Sequence, residues 1–132
     1  EATRDEAATS TPSNTPTPRA DGQPPFYVLE SSQDNACPGN YIMGQILDIN
    51  GAPIAGVRVI GIDQWGNYME SISKSGANDY GRFDFPISED QREYYITVVD
   101  SAGSPTSYSV TIQHQMGGNA GNNCHYITWQ ER

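Results

Sequence analysis

The sequence contains one lysine, Lys74, and two histidines, His114 and His125, among 132 residues. Acids outnumber bases throughout, and the formal net charge is −9. That balance leaves no basic footprint for nucleic acid or for an anionic membrane surface. No apolar run is long enough to span a bilayer as a helix. No stretch holds a 3.6-residue apolar period over three turns, so no long amphipathic helix is expected. The first 25 residues have no large apolar side chain, and so nothing to bury against the entropy cost of ordering.

Those 25 residues hold Pro12, Pro16, Pro18, Pro24 and Pro25 among many Ser and Thr. The run from Thr9 to Pro18 has the composition of an extended, O-glycosylated stalk. Thr9, Ser10, Thr11, Ser13, Thr15 and Thr17 are the candidate acceptors. Proline favours a polyproline-like course, which at about 3.1 Å per residue spans on the order of 75 Å. Residues 1–25 are thus read as a tail and residues 26–132 as one domain. The start at Glu1, without Met, is read as a processed chain.

Cys37 and Cys124 are the only cysteines. A disulfide between them would join the two ends of the domain, close a loop of roughly 90 residues and add about 4 kcal/mol. Two free thiols in a reducing compartment are the alternative. The even cysteine count and the stalk-like tail favour an extracellular or cell-surface location.

From residue 40 onward, β-prone runs alternate with turn signals. Strands are predicted near 40–48, 56–63, 67–74, 80–87, 93–100, 106–114 and 124–131. The breaks fall at Asn50-Gly51, Trp65-Gly66-Asn67, Gly76 to Asp79, Ser88 to Asp90, Ser101 to Pro105 and Gly117 to Asn123. Phe26 to Glu30 is a further apolar run, either an edge strand of its own domain or a strand donated to the next copy. The expectation is an all-β, seven- to eight-stranded antiparallel β-sandwich with an extended N-terminal tail. Val57 and Val59, Phe83 and Phe85, and Tyr108, Val110 and Ile112 alternate with polar residues, which predicts one wet face. Met43, Leu47, Ile60 and Ile62 lie on the opposite faces from other apolar residues. That predicts an outer patch covered by Phe26, Tyr27, Val28 and Leu29 or by another subunit.

The run Ile42 to Val59, I-M-G-Q-I-L-D-I-N-G-A-P-I-A-G-V-R-V, resembles the opening of a carboxypeptidase regulatory-like domain, the transthyretin-like or prealbumin-like β-sandwich. Gly44, Asp48, Gly51, Pro53, Ile54, Gly56, Val57 and Val59 stand at the marked positions of that pattern. Asn78 to Phe85 resembles the family's later turn and G-x-F-x-F strand, and Tyr94, Ile96 and Val98 resemble the strand after it. The similarity covers about residues 41–100. It implies an accessory, spacer or adhesive module of extracellular proteins, without catalysis or cofactor. The hydroxyisourate-hydrolysing relative ends in Tyr-Arg-Gly-Ser, whereas this chain ends Trp129-Gln130-Glu131-Arg132. Related collagen-adhesin repeats form a Lys–Asn isopeptide bond from an early strand, and Lys74 falls in the third predicted one.

Candidate chemistry is sparse. His114, His125, Cys37 and Cys124 make a conceivable zinc set, in competition with the disulfide. Asp48, Asp63, Asp79, Asp84, Glu89 and Asp90 sit mostly at turns, where capping explains them better than calcium. Trp65 and Tyr68 are ligand-stacking candidates, with Tyr80 and Trp129 as further members of a sugar platform. Three readings follow: a self-assembling surface filament linked through its N-terminal segment, a stalked adhesin or carbohydrate-binding module, and an accessory domain cut from a larger enzyme. The first makes the chain a homopolymer, with Phe26 to Leu29, Met43, Leu47, Ile60 and Ile62 as subunit contacts. The second makes glycans the partner.

Overall fold

The computed structural model describes residues 22–35, 37–115 and 123–132. The glycosylation candidates and most of the Gly117–Asn123 loop lie outside them. Eight strands form two four-stranded sheets, and no helix occurs among the described residues. The strands are β1 (Phe26–Asp34), β2 (Asn40–Leu47), β3 (Arg58–Asp63), β4 (Tyr68–Ile72), β5 (Arg82–Pro86), β6 (Arg92–Val99), β7 (Val110–His114) and β8 (Asn123–Glu131). One sheet has the order β1-β8-β2-β5 and the other β4-β3-β6-β7. Every pairing is antiparallel except β2 with β8, which is parallel, from Asn40↔Asn123 to Leu47↔Gln130.

Period-two patterning builds the core. Ile42 and Ile46, Phe83 and Phe85, and Ile127 and Trp129 come from the first sheet; Val59, Tyr94, Ile96, Val98 and Ile112 come from the second. The parallel β2–β8 pair runs through Gly44, opposite Ile127. A Cβ on Gly44 would overlap the carbonyl oxygen of Ile127 and lie 2.7 Å from its carbon. Only glycine permits this approach of two backbones.

One five-residue loop recurs three times, as D-I-N-G-A, D-Q-W-G-N and D-S-A-G-S. In each the aspartate carboxylate, of Asp48, Asp63 or Asp100, accepts N–H groups two and four residues on, at 2.8–3.0 Å. Its carbonyl accepts the N–H of Gly51, Gly66 or Gly103, whose φ lies at 86–87°. This is a three-residue hairpin loop with a left-handed glycine, built from local side-chain bonding.

Several expectations need correction. Phe26 opens a nine-residue strand in its own domain, paired with β8 and bulged between Val28 and Glu30. This strand extends the sheet and does not cover its outer face. The outer patch is shielded from within: Ile60 is 8% exposed because Glu70 and Thr97 flank it in register, and Leu47 is buried beside its bridge to Pro53. Both are therefore buried within the single chain, and Met43 and Ile62 are half-buried. Tyr108 is exposed and precedes β7. The Val99–Pro105 bridge and the Ser107 hydroxyl, which accepts the Val98 N–H, end the alternation there.

Two glycines with different constraints, a close backbone approach at Gly44 and a positive φ at Gly51, predict different outcomes. Gly44→Ala is expected to cost at least ~3 kcal/mol, since backbone and not a flexible side chain must move. Gly51→Ala has nothing within 4 Å of its Cβ, and should cost only ~1 kcal/mol through its positive φ. Denaturant midpoints of the two variants check the ranking.

Candidate functional site

The ends of β1, β3 and β7 and the starts of β2, β6 and β8 meet at one end of the sandwich, opposite Phe26 and Arg132. Each inward row of β7 and β8 finishes there in a histidine, with His114 after Ile112 and His125 before Ile127 and Trp129. Both rings are buried, and His114 Nδ1 lies 2.9 Å from His125 Nε2. The contact requires one ring to accept, so at least one stays neutral. Burial lowers the His114 pKa, opposed by Asp90 and the Ser88 backbone and aided by Arg92. Burial, then the neighbouring His114, pushes His125 down to about 4.

Polar groups and the disulfide surround this pair. Cys37 and Cys124 are bonded, with Cα atoms 6.0 Å apart. Gln33 of β1 donates to the Asn123 side chain at 2.9 Å, and Asn123 Nδ2 donates to the Gln115 carbonyl at 2.9 Å. The zinc set is therefore not assembled: both thiols are consumed, and no group of three or more possible metal ligands occurs among the described residues.

The aromatic candidates do not form one platform. Trp129 is 1% exposed and belongs to the core. Its alternation with Ile127 was the sequence signal for that. Trp65 is 61% exposed in the β3–β4 loop, with the Arg92 guanidinium 4.7 Å over its ring. Arg92 in turn bonds the buried Asp63 at 2.8 Å and Asp90 at 2.7 Å. Burial alone would raise the Asp63 pKa, but the Asn67 side chain, the N–H groups of Asn67 and Trp65, and Arg92 together lower it. The Trp65 ring is thus anchored by a hydrogen-bonded base. Tyr68 is exposed on β4, where its hydroxyl donates to Glu70 at 3.2 Å. Tyr80 is exposed in the loop before β5.

At the terminal end an open groove of about 390 Å³ is lined by Phe26, Val57, Arg58, Glu70, Ile72 and Val99. The Arg58–Glu70 ion pair, 3.0 Å, crosses its rim. Phe26 and Tyr27 are half-buried, Tyr27 under the Arg132 guanidinium at 4.8 Å, while Val28 and Leu29 are exposed. Sequence reading missed Arg92 and Asp63 as partners. They lie 29 residues apart, and no local pattern joins them.

No protein-family model matches the chain, and no curated protein or solved structure matches it either.

Acid should weaken this end first. A histidine held below its ordinary pKa contributes stability above pH ~6.5 that is lost as pH falls toward about 4, a difference of order 3 kcal/mol. Denaturant midpoints followed from pH 7 to 4 should fall, and His125→Gln should flatten the profile. Asp63→Asn should cost about 3 kcal/mol at pH 7 by leaving Arg92 without its buried partner, read from the same unfolding curves.

Proposed function

We propose that this chain is a non-catalytic extracellular structural module, a subunit of a surface filament linked through its N-terminal segment. The observation that carries the reading is β1. It is nine residues long, stands at the margin of its sheet, and is exposed from Val28 to Asp34. It follows directly on the Pro/Thr-rich tail, so the segment that could link copies leads into a strand whose only strand neighbour among the described residues is β8. The Cys37–Cys124 bond supports an oxidising location. The domain's acidic surface supports solubility between linked copies. The motif from Ile42 to Val59 supports a carboxypeptidase regulatory-like module.

A second reading is favoured by Trp65. An exposed indole stiffened by Arg92 suits stacking on a sugar ring, with Tyr68 beside the same loop. In that case the tail is the stalk of a glycan-binding module.

Electron microscopy with intact mass separates the two. The filament reading expects regular polymers, excess mass on the tail, and loss of polymers when residues 1–21 are removed. Dispersed particles of bare chain mass, with Trp fluorescence quenched by glycans and unresponsive in Trp65→Ala, would establish the second reading instead.

A further inference from the structure

Among the described residues β1 has one strand neighbour, β8. Natural sheet edges are commonly blunted by proline, by charged side chains, lysine above all, and by β-bulges. β1 has no lysine or proline; its bulge is confined to Val28–Glu30, and its acids Glu30 and Asp34 admit an uncharged strand more readily than an acidic one. Its ladder to β8 is unbroken from Glu30 to Asp34, so the backbone there is straight enough to template another strand.

The tail holds a segment shaped for such an edge. From Thr9 to Pro18, Thr9, Thr11, Ser13, Thr15 and Thr17 occupy odd positions, while Pro12, Pro16 and Pro18 occupy even ones. Backbone N–H and C=O groups of alternate residues in a strand point to opposite lateral sides. All three prolines therefore fall on one side, and every residue on the other side keeps its N–H. Threonine favours extended backbone, and residues preceding proline are steered to it as well. A polyproline helix has three residues per turn, so a two-residue pattern gives it no distinct face. As a strand the same pattern gives one edge that bonds and one that proline blunts. The segment also carries no charge, which avoids repulsion beside Glu30 and Asp34.

We infer that Thr9–Pro18 of one copy adds as a strand to the outer edge of β1 in a second copy. The backbones of Thr11, Ser13, Thr15 and Thr17 make the bonds, and the prolines face outward and end the sheet. The inference deepens the filament reading and rests on it. A second copy is the occupant because the exit of the tail is pinned. The Pro24 and Pro25 carbonyls accept from Arg132 at 2.8 Å, and the Phe26 N–H goes to Thr106 at 2.9 Å. Return to the chain's own edge would need a reversal within Arg19–Gln23, whereas a neighbour's edge needs none.

The test uses full-length chains. Thr17→Cys in one and Ser32→Cys in another are mixed and oxidised, with Asn78→Cys, exposed far from β1, replacing Ser32→Cys as the control. Heterodimer is expected with Ser32→Cys and not with Asn78→Cys. Adding Ser13→Pro and Thr15→Pro should reduce it at least about tenfold, because two bonding N–H groups are lost. Adding Ser10→Pro and Asn14→Pro instead should leave it unchanged. Equal loss from both proline pairs overturns strand addition. A bond found only within single chains carrying both cysteines overturns the intercopy arrangement, and no bond overturns docking on β1. Polymers seen by microscopy without this bond defeat the inference alone. The bond in material that forms no polymers defeats the filament reading alone.

Discussion

The parallel contact of β2 with β8 is the constraint on which the rest of the molecule depends. It joins residues about 80 positions apart in the chain, and parallel neighbours need a long crossover. Here the crossover includes the whole second sheet and β5. The core cannot close until the last strand arrives, because Ile127 and Trp129 of β8 stand beside Ile42 and Ile46 of β2 on the one inward face that packs on Val59, Tyr94, Ile96 and Val98 of the second sheet. Gly44 allows the approach, and the Cys37–Cys124 bond fixes the register at its start, beside the Tyr41↔Cys124 pair. A pairing this nonlocal is slow to find. A covalent link across it removes loop entropy from the unfolded chain.

Placing β8 inside the sheet has two structural consequences. It sends β1 to the margin, held by a ladder of backbone bonds and with Phe26 as its contribution to the core. It also brings His125 under β7, where it meets His114. The opposite flank is tied differently. The Asp84 N–H donates to the Ser71 hydroxyl at 3.1 Å, and Lys74 reaches Asp84 at 2.9 Å. The sandwich is thus laced at β4–β5, while among the described residues no strand pairs with the outer edge of β1.

Much of this was legible locally. Asp48, Asn50 and Gly51 announced a turn because the turn's bonds lie within five residues. Phe83 and Phe85 announced a buried face because alternation is a local property. Seven strand positions followed from the same signals. What was not legible depended on partners distant in sequence. Nothing near Ile60 says that Glu70 and Thr97 will flank it, and nothing near β2 says that its neighbour runs parallel. Tyr108 kept the alternation in sequence, but the Pro105 bridge displaced it from the strand. The histidines carried a usable signal, since each shares parity with core residues. The sequence reading did not draw on it and took the two rings only as members of a conceivable zinc set.

Charge adds a constraint on how copies can meet. Each chain carries −9, and twelve acids face five bases in residues 26–132. Close approach of two such domains is opposed over roughly a Debye length, about 8 Å at physiological salt. With Thr9–Pro18 docked, the seven residues Arg19–Pro25 are left to separate the copies, about 22 Å at about 3.1 Å per residue, which still exceeds that distance. Within the tail, Thr9–Pro18 is neutral and can approach an acidic edge without that penalty. Backbone bonds are also indifferent to the sign of nearby side chains. In the proposed assembly the attraction therefore lies in a neutral ribbon and an open strand, while the acidic domains stay apart. The acidic charge then opposes direct contact of domain on domain and leaves the link to the tail.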